Sequence, residues 1–225
     1  MNNKIAVIGL GNFGAQIAKE LAKLGFIIIA IDKDREPVEK IQTLVSTALI
    51  LDTSQEEVRQ ELNWEEIDIA IVAIGDPNTE DSIMTVALLK EFGVRQIIAR
   101  AGTEIHEKIL LKVGADSVVN PERDYAKILV EKVANPNIID LRHCDENTVI
   151  GEFLPPLHFL NKNIRELDLR KKYHISVIAL KRGANEAGIR KPVLLANPSP
   201  EEIIRKGDIL VTIGNKADLD LVSRM

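Results

Sequence analysis

The sequence predicts an α/β protein in which a doubly wound parallel sheet is followed by a crossover helix and a small α+β domain. In residues 4–119, short apolar runs alternate with amphipathic helical stretches, which is typical of a parallel sheet covered by helices. The run at residues 26–31 is apolar throughout, as expected for a strand that is buried on both faces. Beyond residue 138 the runs are shorter and richer in proline and glycine, which indicates a second domain.

The first half of the chain contains six predicted strands with helices between them. The strands are Lys4–Ile8, Phe26–Ile31, Ala48–Leu51, Ile69–Ile74, Ile97–Ala99 and Ser117–Val119. Helices are predicted at Phe13–Leu24, Asn78–Phe92 and Glu104–Val113, and a glycine follows each of them, as is common at helix C-termini. A further helix is predicted to begin at Ser54-Gln55-Glu56-Glu57, which matches a capping box. Six strands with helical crossovers complete one doubly wound domain.

The second half begins with a helix predicted from Pro121 to about Val133, which the segment Asn135-Pro136-Asn137 ends. Strands are predicted near Thr148–Phe153, Ile175–Leu180, Val193–Leu195 and Ile209–Ile213. The chain is therefore predicted to have three parts. Residues 1–120 form the sheet domain, residues 121–138 form the crossover helix and linker, and residues 139–225 form the small domain.

The composition is typical of a soluble globular protein and argues against several function classes. The 225 residues are 45% hydrophobic and 28% charged. A net charge of -5 and an aromatic content of 4% argue against nucleic-acid binding. The single cysteine, Cys144, cannot form an internal disulfide. Since no apolar run approaches the roughly 20 residues that span a bilayer, we expect a cytoplasmic protein without direct membrane insertion.

The turn Gly9-Leu10-Gly11-Asn12-Phe13-Gly14 predicts a nucleotide site. It fits G-x-G-x-x-G, follows a predicted strand and begins a predicted helix, which is the context that this Rossmann-like motif requires. The first glycine allows a tight turn, the second lets a phosphate approach the backbone, and the third lets the helix pack on the strand. The helix N-terminus supplies free N–H groups for phosphates. The alternative is a turn that glycines tighten without any ligand.

An acidic residue stands where the ribose of such a nucleotide would lie. Asp32 ends the second predicted strand, and its carboxylate can accept hydrogen bonds from both ribose hydroxyls. The same negative charge disfavours the 2′-phosphate of NADP. Lys33 follows directly and could soften this exclusion, or it could be a solvated loop charge.

Further candidates come from the rule that ligands of open α/β sheets bind at the carboxyl ends of the strands. The rule nominates residues after the third, fourth and fifth predicted strands: Asp52, Thr53, Gly75, Asp76 and Arg100. The two aspartates could instead flank or cap helices. The cation at the end of the fifth strand is expected to face the phosphates.

The sequence offers a binding site without catalytic chemistry. A dehydrogenase needs a substrate domain and an acid–base group near the nicotinamide. The four histidines form no spacing with Asp, Glu or Cys that indicates a triad or a metal site, and His106 falls on a predicted surface helix. We therefore predict that the protein is not an enzyme. A small NAD-dependent oxidoreductase is the alternative, and a stand-alone nucleotide-binding scaffold is a third.

The chain resembles the regulatory subunits of bacterial Ktr/Trk potassium-uptake systems, which are built from regulator-of-conductance-of-potassium (RCK) domains. The resemblance covers nearly the whole chain and includes the glycine turn and Asp32. It also depends on the segments Asp52-Thr53, Ala73–Gly75, Ile98–Arg100, Val119–Glu122, Ile164–Arg170, Val177–Gly183 and Lys206–Leu210.

The resemblance implies a cytosolic subunit whose first domain binds NAD(H), ATP or ADP. It implies that the crossover helix is swapped between two copies and that the homodimers assemble into an octameric ring. The ring would lie at the inner face of the membrane, beneath a potassium-transporter subunit. Nucleotide exchange would then alter the ring and gate transport.

Two positions within the resemblance concern the ligands. Many relatives carry Arg where this chain has Asn12, and that Arg can reach terminal phosphates, so the preferred nucleotide stays open and NAD(H) becomes a stronger candidate. Glu122 stands where some relatives bind a divalent cation at the dimer interface, although an acid is also favourable in the first turn of a helix. Some relatives bind cyclic di-AMP in the small domain, for which Arg170 and Ser176 are the candidate residues.

Overall fold

The computed structural model describes residues 3–183 and 193–225 of the chain. The chain divides into two compact units, Met1–Asp124 and Tyr125–Met225, and a helix at Pro121–Ala134 runs through the boundary between them. The assignment of residues 121–138 to a separate segment stays a prediction. Within the described ranges, no helix has the length and apolar character needed to cross a membrane.

The first unit contains a six-stranded parallel sheet. Its strands are β1 (Lys4–Ile8), β2 (Ile27–Asp32), β3 (Thr47–Ile50), β4 (Ile69–Val72), β5 (Gln96–Arg100) and β6 (Ser117–Val119), and their order in the sheet is β3-β2-β1-β4-β5-β6. The chain proceeds outward from β1 in one direction and then returns to begin β4 on its other side. This reversal leaves a crevice at the carboxyl ends of β1 and β4, where ligands of such sheets bind.

Helices cover both faces of this sheet. They are α1 (Asn12–Lys23), α2 (Arg35–Ile41), α3 (Thr79–Glu91) and α4 (Glu104–Val113), and a further helix, α5 (Pro121–Ala134), follows β6. Successive residues of β1 alternate between two buried clusters: Ile5 and Val7 belong to one, and Ala6 and Ile8 to the other. A strand with a core on each side must be apolar at every position, which explains the uninterrupted apolar runs.

Two sequence predictions for the first unit were wrong or incomplete. The capping box at Ser54 does not form, because the Ser54 hydroxyl donates to Asp52 (2.7 Å) and a short 3-10 helix follows at Glu56–Gln60 instead. Helix α2 was not predicted at all. Its buried residues are Val38 and Ile41 alone, and a seven-residue helix gives too little periodicity to be read from sequence.

The second unit contains a five-stranded antiparallel sheet with short helices. The strands are β7 (Ile138–His143), β8 (Thr148–Phe153), β9 (Ser176–Arg182), β10 (Val193–Ala196) and β11 (Ile209–Asn215), in the order β10-β9-β11-β8-β7. The helices are α6 (Ile164–Leu167), α7 (Leu169–Tyr173) and α8 (Lys216–Ser223). Strand β7 was not predicted, because this edge strand is mostly exposed and its polar residues interrupt the apolar pattern. The parallel sheet with a separate α+β unit confirms the predicted fold class.

Candidate nucleotide-binding site

The glycine turn between β1 and α1 has a separate structural reason for each glycine. Gly9 has a φ of +86°, and a Cβ there would lie 2.9 Å from the backbone nitrogen of Ile74. A Cβ on Gly14 would collide with the carbonyl oxygen of Gly9, so this glycine lets α1 pack against the turn. Gly11, the N-cap of α1, faces open space. The two outer glycines are therefore required by packing, whereas the middle one leaves room for a ligand.

The N-terminus of α1 suits a phosphate. The first N–H groups of a helix have no intrahelical acceptor and carry a partial positive charge. No acidic side chain lies in the first turn of α1 to compete for them. Backbone donors at this end are thus available to an anion.

A cavity of about 300 Å³ lies beside this turn, at the carboxyl ends of the strands. Nine of the predicted site residues line it: Gly9, Gly11, Asp32, Lys33, Asp52, Thr53, Gly75, Asp76 and Arg100. The remaining four residues of the turn do not line it: Leu10, Asn12, Phe13 and Gly14. The predicted residues of five different strand ends are thereby brought to one cavity, and their role in binding stays a prediction.

Asp32 is held in a fixed position at the end of β2. Its carboxylate accepts hydrogen bonds from the backbone N–H of Leu10 (2.6 Å) and of Asp34 (2.9 Å). The first of these bonds joins β2 to the glycine turn. A carboxylate has about four acceptor positions, so this side chain retains capacity for ribose hydroxyls.

Lys33 and Asp52 are each engaged within the chain. Lys33 donates to Asp81 of α3 (2.8 Å), and this bond raises the pKa of the lysine. Asp52 accepts from the hydroxyl and the backbone N–H of Ser54, and the hydroxyl bond in particular lowers the pKa of the carboxyl. The lysine is therefore paired with a carboxylate, which reduces its capacity to neutralise a 2′-phosphate.

Thr53 and Asp76 connect the cavity wall to α3. The Thr53 hydroxyl is buried and hydrogen-bonded to the hydroxyl of Thr85 (2.9 Å). Asp76 accepts from the hydroxyl of Thr79 (3.2 Å), whereas the N-cap of α3 is Asn78. Both side chains thus have structural partners in α3 as well as lining the cavity.

Arg100 ends β5 and lies against the backbone at Gly75, where a Cβ would come within 2.8 Å of its Nη1. Its Cζ is 5.7 Å from the ring centroid of Phe13, within cation–π range. Its Nη2 donates to Glu122 in the first turn of α5.

Among the described residues no group of three or more His, Cys, Asp or Glu could hold a metal, and the role of Glu122 as a cation ligand stays a prediction.

His106 is buried, which corrects the expectation of a surface position. It lies in the first turn of α4 on the inward face, and burial lowers the pKa of its imidazole although the charge of Asp76 opposes this. None of the described residues hydrogen-bonds either ring nitrogen. The helix pattern was misleading because three of its apolar side chains, Ile105, Ile109 and Leu111, are exposed.

Three further polar residues line the cavity that the sequence did not nominate: Asp34, Asn78 and Asp81. Asp34 stands two residues after Asp32, so its position was inferable from the strand end. The other two belong to the start of α3, and only the packing of that helix brings them to the cavity.

The candidates for cyclic di-AMP lie in the second unit, where Arg170 is exposed in α7 and Ser176 begins β9.

The sequence matches two known domain families along most of its length. The TrkA-N domain model matches residues 5–121 and the TrkA-C domain model matches residues 152–225. The chain is 36% identical to Ktr system potassium uptake protein C of Bacillus subtilis, over 97% of this chain and 95% of that protein. It is 32% identical to Ktr system potassium uptake protein A of the same organism, over 97% and 94%.

Solved structures with the same fold include one titled "GsuK channel bound to NAD". The superposition has a TM-score of 0.65, covers 99% of this chain and 40% of that chain, and has 17% sequence identity. This chain therefore spans less than half of the channel chain, and the likeness shows the fold alone. The resemblance to Ktr/Trk proteins and RCK domains is confirmed.

Proposed function

This chain belongs to the family of potassium-uptake proteins that combine a TrkA-N with a TrkA-C domain, and on that premise we propose that it is a nucleotide-sensing regulatory subunit of a membrane potassium transporter. The observation that carries the proposal is the convergence of the glycine turn, the fixed carboxylate of Asp32 and the guanidinium of Arg100 on one cavity. Relatives are named as parts of a potassium-uptake system, and a related fold is titled as bound to NAD.

The proposed ligand is NAD(H), ATP or ADP, with the adenosine ribose at Asp32 and the phosphates at the N-terminus of α1. Five carboxylates line the cavity and only two cations do: Asp32, Asp34, Asp52, Asp76 and Asp81 against Lys33 and Arg100. This balance disfavours a ligand with an additional phosphate on the ribose. NADPH is therefore expected to bind more weakly than NADH.

The proposed partners are a second copy of this chain and a membrane transporter subunit. Helix α5 carries five exposed apolar side chains: Tyr125, Ile128, Leu129, Val130 and Val133. An apolar helix face of this extent favours burial against another protein surface. We assign it to a homodimer, with dimers assembling into an octameric ring at the cytoplasmic side of the transporter. A native mass that corresponds to a monomer would contradict this assembly.

The binding site is tested by titration calorimetry with ADP, ATP and NADH on the full chain. Replacement of Asp32 by Ala removes the ribose acceptor and is expected to weaken binding roughly ten- to a hundredfold, as for the loss of a hydrogen bond to a charged group. The control Glu36→Ala removes an exposed carboxylate of α2 that pairs with Lys40. Equal affinities of wild type and Asp32→Ala would overturn the proposed site, provided that thermal unfolding shows both variants folded.

The regulatory role is tested in cells. Deletion of the gene is expected to impair potassium uptake, and the protein is expected to co-purify with a membrane subunit. We propose no catalytic activity. Isotope-labelled NADH incubated with carbonyl compounds is expected to transfer no hydride, and labelled product would favour the oxidoreductase instead.

A further inference from the structure

Arg100 contacts three parts of the first unit at once. Its guanidinium lines the cavity, lies near the Phe13 ring in the glycine turn, and donates from Nη2 to Glu122 at the start of α5. Its Nε is buried, and no described residue accepts a hydrogen bond from it. The guanidinium therefore has a donor that none of the described residues uses, and it lies close against the backbone at Gly75.

The side chain of Glu122 contacts the cavity wall, whereas the residues beside it contact other parts of the first unit. The start of α5 is fixed by the side chain of Asn120, which accepts from the backbone N–H of Arg123 (2.9 Å). Arg123 also donates to Glu107 of α4 (2.8 Å). Neither of these contacts involves a cavity residue, whereas the bond from Glu122 reaches Arg100 on the cavity wall. The first turn of α5 is thus joined by one ion pair to α4, away from the cavity, and by another to the cavity wall.

The pair between Arg100 and Glu122 is weak enough to be exchanged. The glutamate side chain is 63% exposed, and ion pairs of exposed groups contribute little because water screens them. A phosphate can bind a guanidinium through two parallel hydrogen bonds, and the terminal phosphate of ADP or ATP also carries more charge than a carboxylate. A phosphate that enters the cavity is thus a stronger partner for this guanidinium than the glutamate.

We propose that a nucleotide phosphate replaces Glu122 as the hydrogen-bond partner of Arg100. A ligand in the cavity would thereby break the contact between the first turn of α5 and the cavity wall. This inference rests on the proposed nucleotide function. Because α5 continues into the second unit, the exchange gives the ligand a defined effect on the helix that joins the units. The coupling is reciprocal, since removal of the glutamate must also favour the phosphate.

The test compares wild type with two variants by calorimetry with ADP and with adenosine, which has no phosphate. A chelator is present throughout, because Glu122 is also a predicted cation ligand. Replacement of Glu122 by Gln is expected to tighten ADP binding roughly two- to fivefold, which corresponds to the usual strength of an exposed ion pair. It is expected to leave adenosine binding unchanged. The matched control Glu107→Gln breaks the neighbouring ion pair and is expected to leave both affinities unchanged.

A double-mutant comparison assigns the effect to Arg100. The variant Arg100→Gln is expected to weaken ADP roughly tenfold or more, and Glu122→Gln added to it is expected to have no further effect. If ADP binds wild type and Glu122→Gln equally, or if Glu122→Gln weakens it, the exchange is overturned and the nucleotide site is retained. If neither ADP nor ATP nor NADH binds wild type, the proposed function itself fails and the inference with it.

Discussion

Arg100 in the first unit and Arg182 in the second have nearly the same side-chain exposure, 23% and 27%, but different surroundings. Arg182 donates to Asp208 through two nitrogens (3.2 and 3.0 Å), to Glu202 (2.7 Å) and to the carbonyl of Ile203 (2.9 Å). Arg100 donates to one exposed glutamate, and no described residue accepts a hydrogen bond from its buried Nε. An arginine whose donors are satisfied stabilises a fold, whereas one with unused donors beside a cavity is available to a ligand.

The hydrogen-bond network of Arg182 joins β9 to the segment that precedes β11. Asp208 is almost fully buried, and it also accepts from the backbone N–H of Arg205 (3.0 Å). The hydrogen bonds to Asp208 and Glu202 raise the pKa of the arginine further above its ordinary value. Its charge is thus neutralised within the unit, and we assign it no ligand.

The largest expected effect comes from breaking this network. Replacement of Asp208 by Ala leaves Arg182 partly buried without its main partner and is expected to destabilise the second unit by about 3–5 kcal/mol. Urea unfolding followed by circular dichroism measures the loss. The control Glu201→Ala removes an exposed pair with Arg165 and is expected to cost less than about 1 kcal/mol. Similar losses in both variants would show that the network is not structural.

Substitutions at two glycines of the first unit are expected to affect its stability and its nucleotide binding separately. A Cβ at Gly14 meets the backbone of Gly9, so Gly14→Ala is expected to destabilise the first unit by about 1–3 kcal/mol. A Cβ at Gly11 meets open space, so Gly11→Ala is expected to fold normally and to lose nucleotide binding, because the methyl group takes the space of a phosphate. Thermal unfolding and calorimetry on both variants measure the two effects. Normal binding by Gly11→Ala would place the phosphates elsewhere.

The smallest expected effect is a dependence of the stability on pH that is confined to the first unit. Burial lowers the pKa of His106, so the unfolded chain binds a proton more readily than the native one. The corresponding stability is present above the ordinary histidine pKa of about 6.5 and is lost as the pH falls through the lower native value. The three histidines of the second unit, His143, His158 and His174, are exposed.

Urea midpoints measured between pH 7.5 and 5 test this difference. The wild type is expected to lose stability toward acid, and the variant His106→Leu is expected to lose less, because it has no imidazole to protonate. An identical pH profile for both proteins would contradict the assignment.

Most of the fold was predictable, because its signals are local. The uninterrupted apolar runs of β1 and β2 follow from burial on both faces, and Gly25, Gly93 and Gly114 follow their helices with positive φ values. Helix α2 and strand β7 were missed, since one is short and the other is a mostly exposed edge. At the candidate site, the glycine turn and Asp32 were readable as a motif with fixed spacing.

The sequence by itself determined the turn, the strand ends and the family, because steric limits on glycine and the periodicity of burial act between residues that are close in the chain. Only the tertiary structure decided that Lys33 pairs with Asp81, that Arg100 pairs with Glu122 and that His106 is buried. These side chains are 22 or more positions from their partners, or are buried by the packing of a whole helix. No local pattern encodes such contacts, since they depend on how the elements pack on the sheet.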